Sequence, residues 1–499
     1  MSQNTRNRLI VVSNRLPFVF RRGKGGRWIT ERGAGGLVSA LLPVLRDRGG
    51  SWVGWPGTAD TKGDLETAVA AAGGEVGFEL KAVTLDAKAV DDFYHGFSNE
   101  IIWPLFHDLQ SLCNFEPRYW NAYKGANRRF ADGVLAISGP KDFVWVHDYH
   151  LMSVAAELRA MRSRSHIGFF LHIPFPAPDI FFSLPWRLTL LHALLQYDLV
   201  GFQTARDCRN FIQCLRTLLP DMSVQGKGQV VTVTAEGRTV RVGSFPISID
   251  YNAFVTQAEA PEVAERVQEL RRLLPQRKLL LGVDRLDYTK GIPERLRAFQ
   301  TALERYPKLR ERVSLIQVVV PSRVDIPEYY ELKARIEQIV GQVNGAYMKP
   351  GGWVPVWYAY GSLNRLDLLA YYRAADIGLI TPLKDGMNLV AKEYCACSVE
   401  EDCVLILSEF AGAAAQLQKG ALLVNPHDIE GVADTINRAV TMSEEERRAR
   451  MRRMRRSIRD SDIFWWVDSF LRAAIAKDLS AFPYSEDHVE DVMPDYVPI

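Results

Sequence analysis

The chain has 499 residues, 47% of them hydrophobic and 24% charged, an ordinary balance for a soluble globular protein. At roughly 150 residues per domain the length suggests about three domains or two large ones, and the apolar content excludes disorder as the dominant state. The 61 Lys and Arg against 59 Asp and Glu leave a net charge of +2, so no global field points to a nucleic acid or a membrane.

Apolar runs such as Val318–Val320 and Val404–Leu407 fall far short of the roughly 18 residues of a membrane span. The run Leu9–Val12 after Arg6 and Arg8 is too short for a signal-peptide core. Six cysteines in 499 residues do not make a disulfide framework. The expectation is a cytoplasmic enzyme with reduced thiols.

Short β-branched apolar runs recur, each followed by a turn rich in Gly, Pro or Asp and then by helical periodicity. They are Leu9–Val12, Phe143–Val146, Ile167–His172, Leu199–Phe202, Leu279–Val283, Leu315–Val320, Ile377–Thr381 and Val404–Ser408. Continuous apolar strands predict a sheet buried on both faces, and strands separated by helices predict parallel βαβ units. The pattern runs to about residue 250 and restarts at Leu279, which predicts an α/β chain of two Rossmann-like domains. The crossing is expected near Phe245–Asn252, where Pro246 interrupts an extended run. Open α/β sheets bind ligands at the carboxyl ends of their strands, so the two domains are expected to face across a ligand-binding cleft. Further on, Ser443 with Glu446 makes a capping box for a helix bearing Met451, Met454 and Ile458 on one face. The eight arginines from Arg447 to Arg459 read as a solvated face rather than an anion site. The tail Ser485–Ile499 is acidic.

Six stretches carry chemistry. In Val11–Pro17 a strand ends at Arg15, whose guanidinium can fork onto a phosphate; a plain surface arginine is the alternative. Gly33-Ala34-Gly35-Gly36 precedes a helical pattern, where glycines let the backbone approach a ligand and the helix start offers free N–H groups; a simple turn is nearly as good a reading. Val144–His150 runs into a polar cluster in which Asp148 could accept from sugar hydroxyls. His147 and His150 lie at i, i+3 without a partner cluster of metal spacing, and Cys395 and Cys397 suit core packing at least as well as a metal. Phe169–Pro176 delivers His172 to a strand end, where a lone histidine is more often a satisfied core group. In Leu281–Gly291, Arg285 and Lys290 flank a turn in a way that suits a diphosphate, with salt bridges to Asp284 and Asp287 as the alternative. Arg323 repeats the strand-then-cation pattern. Thr381–Glu393 is the most informative: a strand enters a Gly-containing loop that opens a helix able to hold phosphates. There Asp385 could bind sugar hydroxyls, with Glu393 one helical turn in.

Together the motifs SNRLP, GAGGL, FYHGFSNEIIWPLFH, WVHDYHL, GFFLHIPFP, DRLDYTKGIPERL, ITPLKDGMNLVAKEY and LSEFAGAA resemble the trehalose-6-phosphate synthase family of retaining GT-B glycosyltransferases, from about Leu9 to Arg448. The resemblance implies glucose transfer from a nucleotide-glucose, UDP-glucose being favoured, to glucose 6-phosphate, giving α,α-trehalose 6-phosphate. It implies an acceptor site of Arg15, Tyr94, Trp103, Asp148 and Arg323. Its implied donor site is Gly35, Gly36, His172, Arg285, Lys290, Asp385, Gly386, Met387, Asn388, Leu389, Val390 and Glu393. Asp148, His172, Arg285, Lys290 and Asp385 are the implied catalytic set, with no metal and no cofactor. The expected division is an acceptor domain 1–248, a donor domain 249–465, and a helix and tail 466–499 returning to the first. The basic, glycine-rich stretch Arg21–Arg27 departs from the family pattern; a flap and a longer hairpin are both open. Tyr360–Asn364 is expected near the base but carries no readable code for it, so UDP, GDP and ADP donors stay open. No phosphatase motif is found. The sequence leaves a homo-oligomer, dimer or tetramer, open. The competing readings are a glycerol 3-phosphate acceptor, a non-catalytic regulatory homologue and a nucleotide-sugar epimerase.

Overall fold

The computed structural model describes residues 8–23, 27–33, 36–60, 64–274, 277–322, 327–349 and 352–476. They divide into two compact units. One holds the described residues up to Pro246 and those from Phe464 onward, and the other is Ile247–Ile463. The expected boundaries were 248 and 465; the chain leaves the first unit after Pro246 and re-enters it at Phe464.

The first unit contains β1 (Leu9–Arg15), β2 (Phe18–Arg22), β3 (Trp28–Arg32), β4 (Gly50–Trp55), β5 (Glu79–Ala82), β6 (Phe143–His147), β7 (His166–Phe170), β8 (Leu199–Phe202), β9 (Ser223–Gln225), β10 (Val230–Ala235) and β11 (Arg238–Ser244). Its main sheet runs β5-β4-β1-β6-β7-β8-β11-β10-β9. Neighbours are parallel from β5 through β11, and β10 and β9 run antiparallel. This end corrects the expectation of a wholly parallel sheet. Glu236 and Gly237, at φ 53° and 74°, turn the chain between β10 and β11 in two residues, and so short a link joins only antiparallel strands. The inner strands β6 and β8 are buried along their whole length, as helices on both faces require. The departure Arg21–Arg27 belongs to an antiparallel hairpin of β2 and β3, with residues 24–26 outside the described set.

One further feature of this unit, the π-helix, escaped the sequence patterns; the helix expected from 466 is Ile463–Ile475, and the tail 477–499 lies outside the described residues. Val90–Ile102 is a π-helix that runs directly into the turn Trp103–Phe106. Inside it, Asn99 Nδ2 donates to the carbonyl of Tyr94 at 2.7 Å. Gly96 lies against the ring of Tyr119, where a Cβ would come within 2.5 Å. The helix Ile463–Ile475 packs Trp466 and Phe470 on the sheet: the ring of Phe470 stacks 4.4 Å from Trp145. Room for Phe470 comes from Gly168 and Gly201, where a Cβ would approach its ring to 2.9 and 2.7 Å.

The second unit contains β12 (Lys278–Arg285), β13 (Val313–Val320), β14 (Val356–Tyr360), β15 (Ile377–Ile380), β16 (Val404–Ser408) and β17 (Leu422–Val424). The order β14-β13-β12-β15-β16-β17 is parallel throughout. In both sheets the first strand lies inside, the next sheet strands extend to one side, and the later ones to the other. The winding therefore reverses between β1 and β6 and again between β12 and β15, and such switch points open a crevice at the strand ends.

Beneath the β12/β15 switch sits Arg295, on the helix Ile292–Arg305, with its side chain fully buried. It pairs with Asp284 and donates to Gln317 Oε1 at 3.1 Å, to Thr381 Oγ1 at 3.1 Å and to the carbonyl of Lys290 at 3.3 Å. A Cβ at Gly282 would come within 2.6 Å of both Arg295 and Gln317, so glycine makes room for the network.

The helix Glu444–Asp460 starts at Ser443, whose Oγ accepts from the N–H of Glu446 at 3.3 Å, and it buries Met451, Met454 and Ile458. Its arginines are not all a solvated face. Arg455 donates to the carbonyls of Cys395, Ala396 and Ser398 at 3.1, 2.7 and 2.9 Å, and Arg447 pairs with Asp402 at 2.6 Å. The free carbonyls at a helix C-terminus draw a cation, and Arg455 thereby closes the helix Leu389–Cys397. The six cysteines are free thiols. Among the described residues no helix is long and apolar enough to cross a membrane.

Arg295→Met is expected to destabilise the second unit by about 3–5 kcal/mol, because Asp284 would be left as a buried unpaired charge. The double variant Arg295→Met/Asp284→Leu is expected to recover much of that loss. Urea unfolding measures both, and an unchanged midpoint for the single variant contradicts the role given to the pair.

Candidate active site

In the first unit the site begins at the β1/β6 switch. Arg15 is the last residue of β1 and is exposed; in the parallel register it lies opposite Trp55, the last residue of β4. Its guanidinium sits 4.4 Å from the centre of the Trp55 ring and 5.6 Å from that of Tyr94. Among the described residues it has no carboxylate partner. Gly57, at φ 87°, admits it: a Cβ there would lie 2.7 Å from Arg15 Nη1. Aromatic faces attract a cation without neutralising it, so Arg15 keeps its charge for an anion.

Tyr94 continues an aromatic chain. It stacks on His150 at 5.8 Å, His150 packs on Tyr149 at 3.9 Å, and Tyr149 lies 5.8 Å from Trp103. Tyr149 Oη donates to Asn99 Oδ1 at 3.1 Å, which ties this chain to the π-helix. Trp103 itself is buried and packs on His107 at 4.3 Å.

Asp148 follows β6 at φ 74°, a conformation that costs a residue with a side chain about 1–3 kcal/mol and concentrates at functional sites. Its N–H donates to the carbonyl of Phe170 at 2.8 Å, and its Oδ1 accepts from the backbone N–H of His172 at 3.2 Å. Nε2 of His172 lies 3.2 Å from Nδ1 of His147. Burial pushes the imidazole of His172 down to about 3. The ring of His147 is held well below its ordinary value, first by burial and then by His172. Both are neutral at physiological pH. Among the described residues no group of three or more His, Cys, Asp or Glu could hold a metal ion.

In the second unit the β12/β15 switch carries the other group. Arg285 ends β12 and is exposed. A tight turn, Tyr288–Lys290, follows; Asp287 caps it by accepting from the N–H and Oγ1 of Thr289 at 2.9 and 2.8 Å. Gly291 ends the turn at φ 62°, where a Cβ would lie 2.5 Å from the carbonyl of Thr381. The carbonyl of Thr289 accepts from the N–H groups of Leu383 and Lys384 at 2.8 and 3.3 Å. The loop after β15 is thus fastened to the turn that carries Lys290.

That loop holds Asp385, whose Oδ2 accepts from Lys290 Nζ at 2.5 Å and from Asn388 Nδ2 at 3.1 Å. The sequence had offered Asp284 and Asp287 as alternative partners for the cations; Asp284 pairs with Arg295 and Asp287 caps its turn. Asn388, at φ 73°, caps the helix Leu389–Cys397 by accepting from the N–H of Ala391 at 3.1 Å. The first N–H groups of that helix, at Leu389 and Val390, have no partner within it. Gly386 packs against Gly412, where a Cβ would run into the Gly386 carbonyl, and Met387 accepts from the N–H of Ala413 at 2.8 Å. Glu393 lies further along the helix. Its carboxylate accepts from Tyr372 Oη at 2.8 Å, and burial raises its pKa.

Gly35 and Arg323 lie outside the described residues, and Gly36 is the first residue of the helix Gly36–Arg48. Tyr360 ends β14, and Asn364 caps the helix Arg365–Ala374. Sequence reasoning passed over Trp55, Arg295, Tyr372 and the link of His147 to His172. For Trp55 the signal was present, since Trp52–Trp55 is an apolar run stopped by Pro56 and Gly57 like the other strand ends.

The model of glycosyltransferase family 20 matches residues 7–476. The trehalose-6-phosphate synthase of Mycobacterium avium is 44% identical over 469 residues, covering 93% of this chain and 94% of that protein. The one from Mycolicibacterium smegmatis is 43% identical over 472 residues, covering 94% and 92%. Among solved structures, a UDP-forming α,α-trehalose-phosphate synthase from Burkholderia xenovorans in complex with glucose-6-phosphate matches with a TM-score of 0.84 and 36% identity, over 94% of this chain and 100% of that one. The E. coli protein bound with UDP-2-fluoro glucose matches with a TM-score of 0.83 and 37% identity, over 94% and 99%. Two Rossmann-like units, an arginine-bearing strand end at each switch point and a family match along almost the whole length lead to one conclusion: this chain belongs to glycosyltransferase family 20 and is a glycosyltransferase of the GT-B fold.

Proposed function

We propose that this enzyme transfers glucose from UDP-glucose to the anomeric hydroxyl of glucose 6-phosphate with retention, forming α,α-trehalose 6-phosphate and UDP. The observation that carries this reading is Arg15, an exposed cation flanked by two aromatic faces at the β1/β6 switch. It suits a phosphate beside a sugar ring, and the Burkholderia xenovorans relative was solved with glucose-6-phosphate. The donor reading is supported by the cations and loop at the β12/β15 switch and by the E. coli relative solved with UDP-2-fluoro glucose.

In this scheme Arg285, Lys290 and the free N–H groups at the start of the helix Leu389–Cys397 receive the diphosphate. They stabilise it as the glycosidic bond breaks and its charge grows. Lys290 exchanges its Asp385 partner for a phosphate oxygen, which releases Asp385 to accept from the glucose hydroxyls. Glu393, oriented by Tyr372, accepts from the ribose diol. Asp148 accepts from the acceptor sugar, and Tyr94 and Trp103 wall it. The departing phosphate takes the proton of the attacking hydroxyl on the same face of the sugar, so no carboxylate nucleophile is used. Side-chain cations and N–H groups carry the neutralisation, and no metal is required in the proposal.

The direct assay incubates the protein with UDP-, GDP- or ADP-glucose, with and without glucose 6-phosphate or glycerol 3-phosphate, and follows nucleotide release. UDP release that depends on glucose 6-phosphate is expected, with a non-reducing product α at both anomeric centres by NMR. Release indifferent to the acceptor, or preference for glycerol 3-phosphate, contradicts the proposal.

Arg15→Ala is expected to raise the KM for glucose 6-phosphate about 10- to 100-fold, the worth of a lost charge-assisted contact. An unchanged acceptor response removes that role. Lys290→Ala is expected to lower kcat about 100-fold or more while leaving the unfolding midpoint near that of the parent; near-normal turnover refutes it. Gly412→Ala, which pushes on the Gly386 carbonyl, is expected to weaken donor binding in calorimetry with acceptor binding unaffected.

A further inference from the structure

His147 ends β6, buried in the first unit. Its ring centre lies 4.7 Å from that of Trp145, 5.4 Å from His172 and 6.3 Å from Trp466. Nδ1 faces Nε2 of His172 at 3.2 Å, and the other nitrogen, Nε2, is buried without a hydrogen-bond partner. His172 is half-buried, and among the described residues its Nδ1 has no hydrogen-bond partner.

Two neutral imidazoles that share one hydrogen bond have two arrangements. If His172 donated from Nε2, the hydrogen of His147 would sit on its own Nε2, a buried donor enclosed by aromatic rings with nothing to receive it. Buried N–H groups without an acceptor are rarer than buried acceptors without a donor. The indole N–H of the adjacent Trp145 is itself buried and unpartnered, so a bare lone pair on His147 suits that neighbour better than a second N–H. If His147 donates from Nδ1, its Nε2 is bare and the hydrogen of His172 moves to Nδ1, the nitrogen that no other described residue engages.

We propose that His147 is a positioning residue: its Nδ1–H donates to Nε2 of His172, fixes His172 as the Nδ1–H tautomer, and so makes it a neutral hydrogen-bond donor to a sugar hydroxyl oxygen. The functional part rests on the proposed function and on His172 belonging to its sugar site, as the family resemblance implies. The tautomer itself is independent of that reading.

Long-range proton–nitrogen spectra of the ligand-free protein labelled with 15N-histidine read the tautomers directly, with assignments from His147→Asn and His172→Ala. Nδ1–H on both rings is expected; Nε2–H on His147 overturns the proposal. This readout needs no turnover, so an inactive parent enzyme would remove the reaction scheme and leave the tautomer standing. In turnover, His147→Asn presents an amide N–H near the place of Nδ1 and is expected to keep kcat within about threefold of the parent. His147→Leu is expected to lose about tenfold or more in kcat, the worth of one lost hydrogen bond, with the KM for glucose 6-phosphate unchanged. Equal rates for the two variants overturn the proposal, and if the leucine variant does not fold, the spectra of the parent decide.

Discussion

A guanidinium shut away from water governs the geometry of the second unit. Arg295 reaches Asp284 on β12, Gln317 on β13, Thr381 after β15 and the carbonyl of Lys290. A buried ion must keep its partners or leave a charge stranded in a medium that solvates it badly. Those four segments are therefore bound to one another. Lys290 stands above this network, its backbone held from below, and the loop of Asp385 is pinned to the same turn through Thr289. The backbone of one cation, Lys290, is held by a second cation, Arg295, that is closed off from water.

The two halves hold their cations in opposite ways. Lys290 rests on a carboxylate, which cancels its charge until something displaces Asp385. Arg15 rests on the faces of Trp55 and Tyr94, whose quadrupoles steady it without cancelling anything. In the proposed reaction, Arg15 thus offers a full positive charge to the monoester of glucose 6-phosphate. In the same proposal, Lys290 offers the diphosphate a cation that has Asp385 to return to when the product leaves.

The sequence carried much of this on its surface. Strand ends bearing Arg15, Asp148, Arg285 and Asp385 were legible because a buried strand is a continuous apolar run and its exit is punctuated by polar residues. The helix after Asn388 was legible from its loop. A strand that broke that pattern was not: β14 (Val356–Tyr360) mixes aromatics with exposed and half-exposed positions. The π-helix has no common sequence period, so Tyr94 and Trp103 entered through family resemblance alone. Long-range pairings were the least accessible. That Asp284 answers Arg295 and not Arg285 or Lys290 depends on which face of a strand meets which helix, and local spacing does not encode that.

The helix Ile463–Ile475 sets an order on the making of the molecule. Phe470 and Trp466 pack against Trp145, and Gly168 and Gly201 are glycines at the places where Phe470 seats itself. Protein chains emerge from the ribosome at about 5–20 residues per second, and units generally fold as they appear. Here the sheet of the first 246 residues lacks part of its covering until residues 464–476 arrive, after all of Ile247–Ile463 has been synthesised. For that interval the aromatic surface that Trp466 and Phe470 cover is bare, and the first unit completes its packing only after the second has been made.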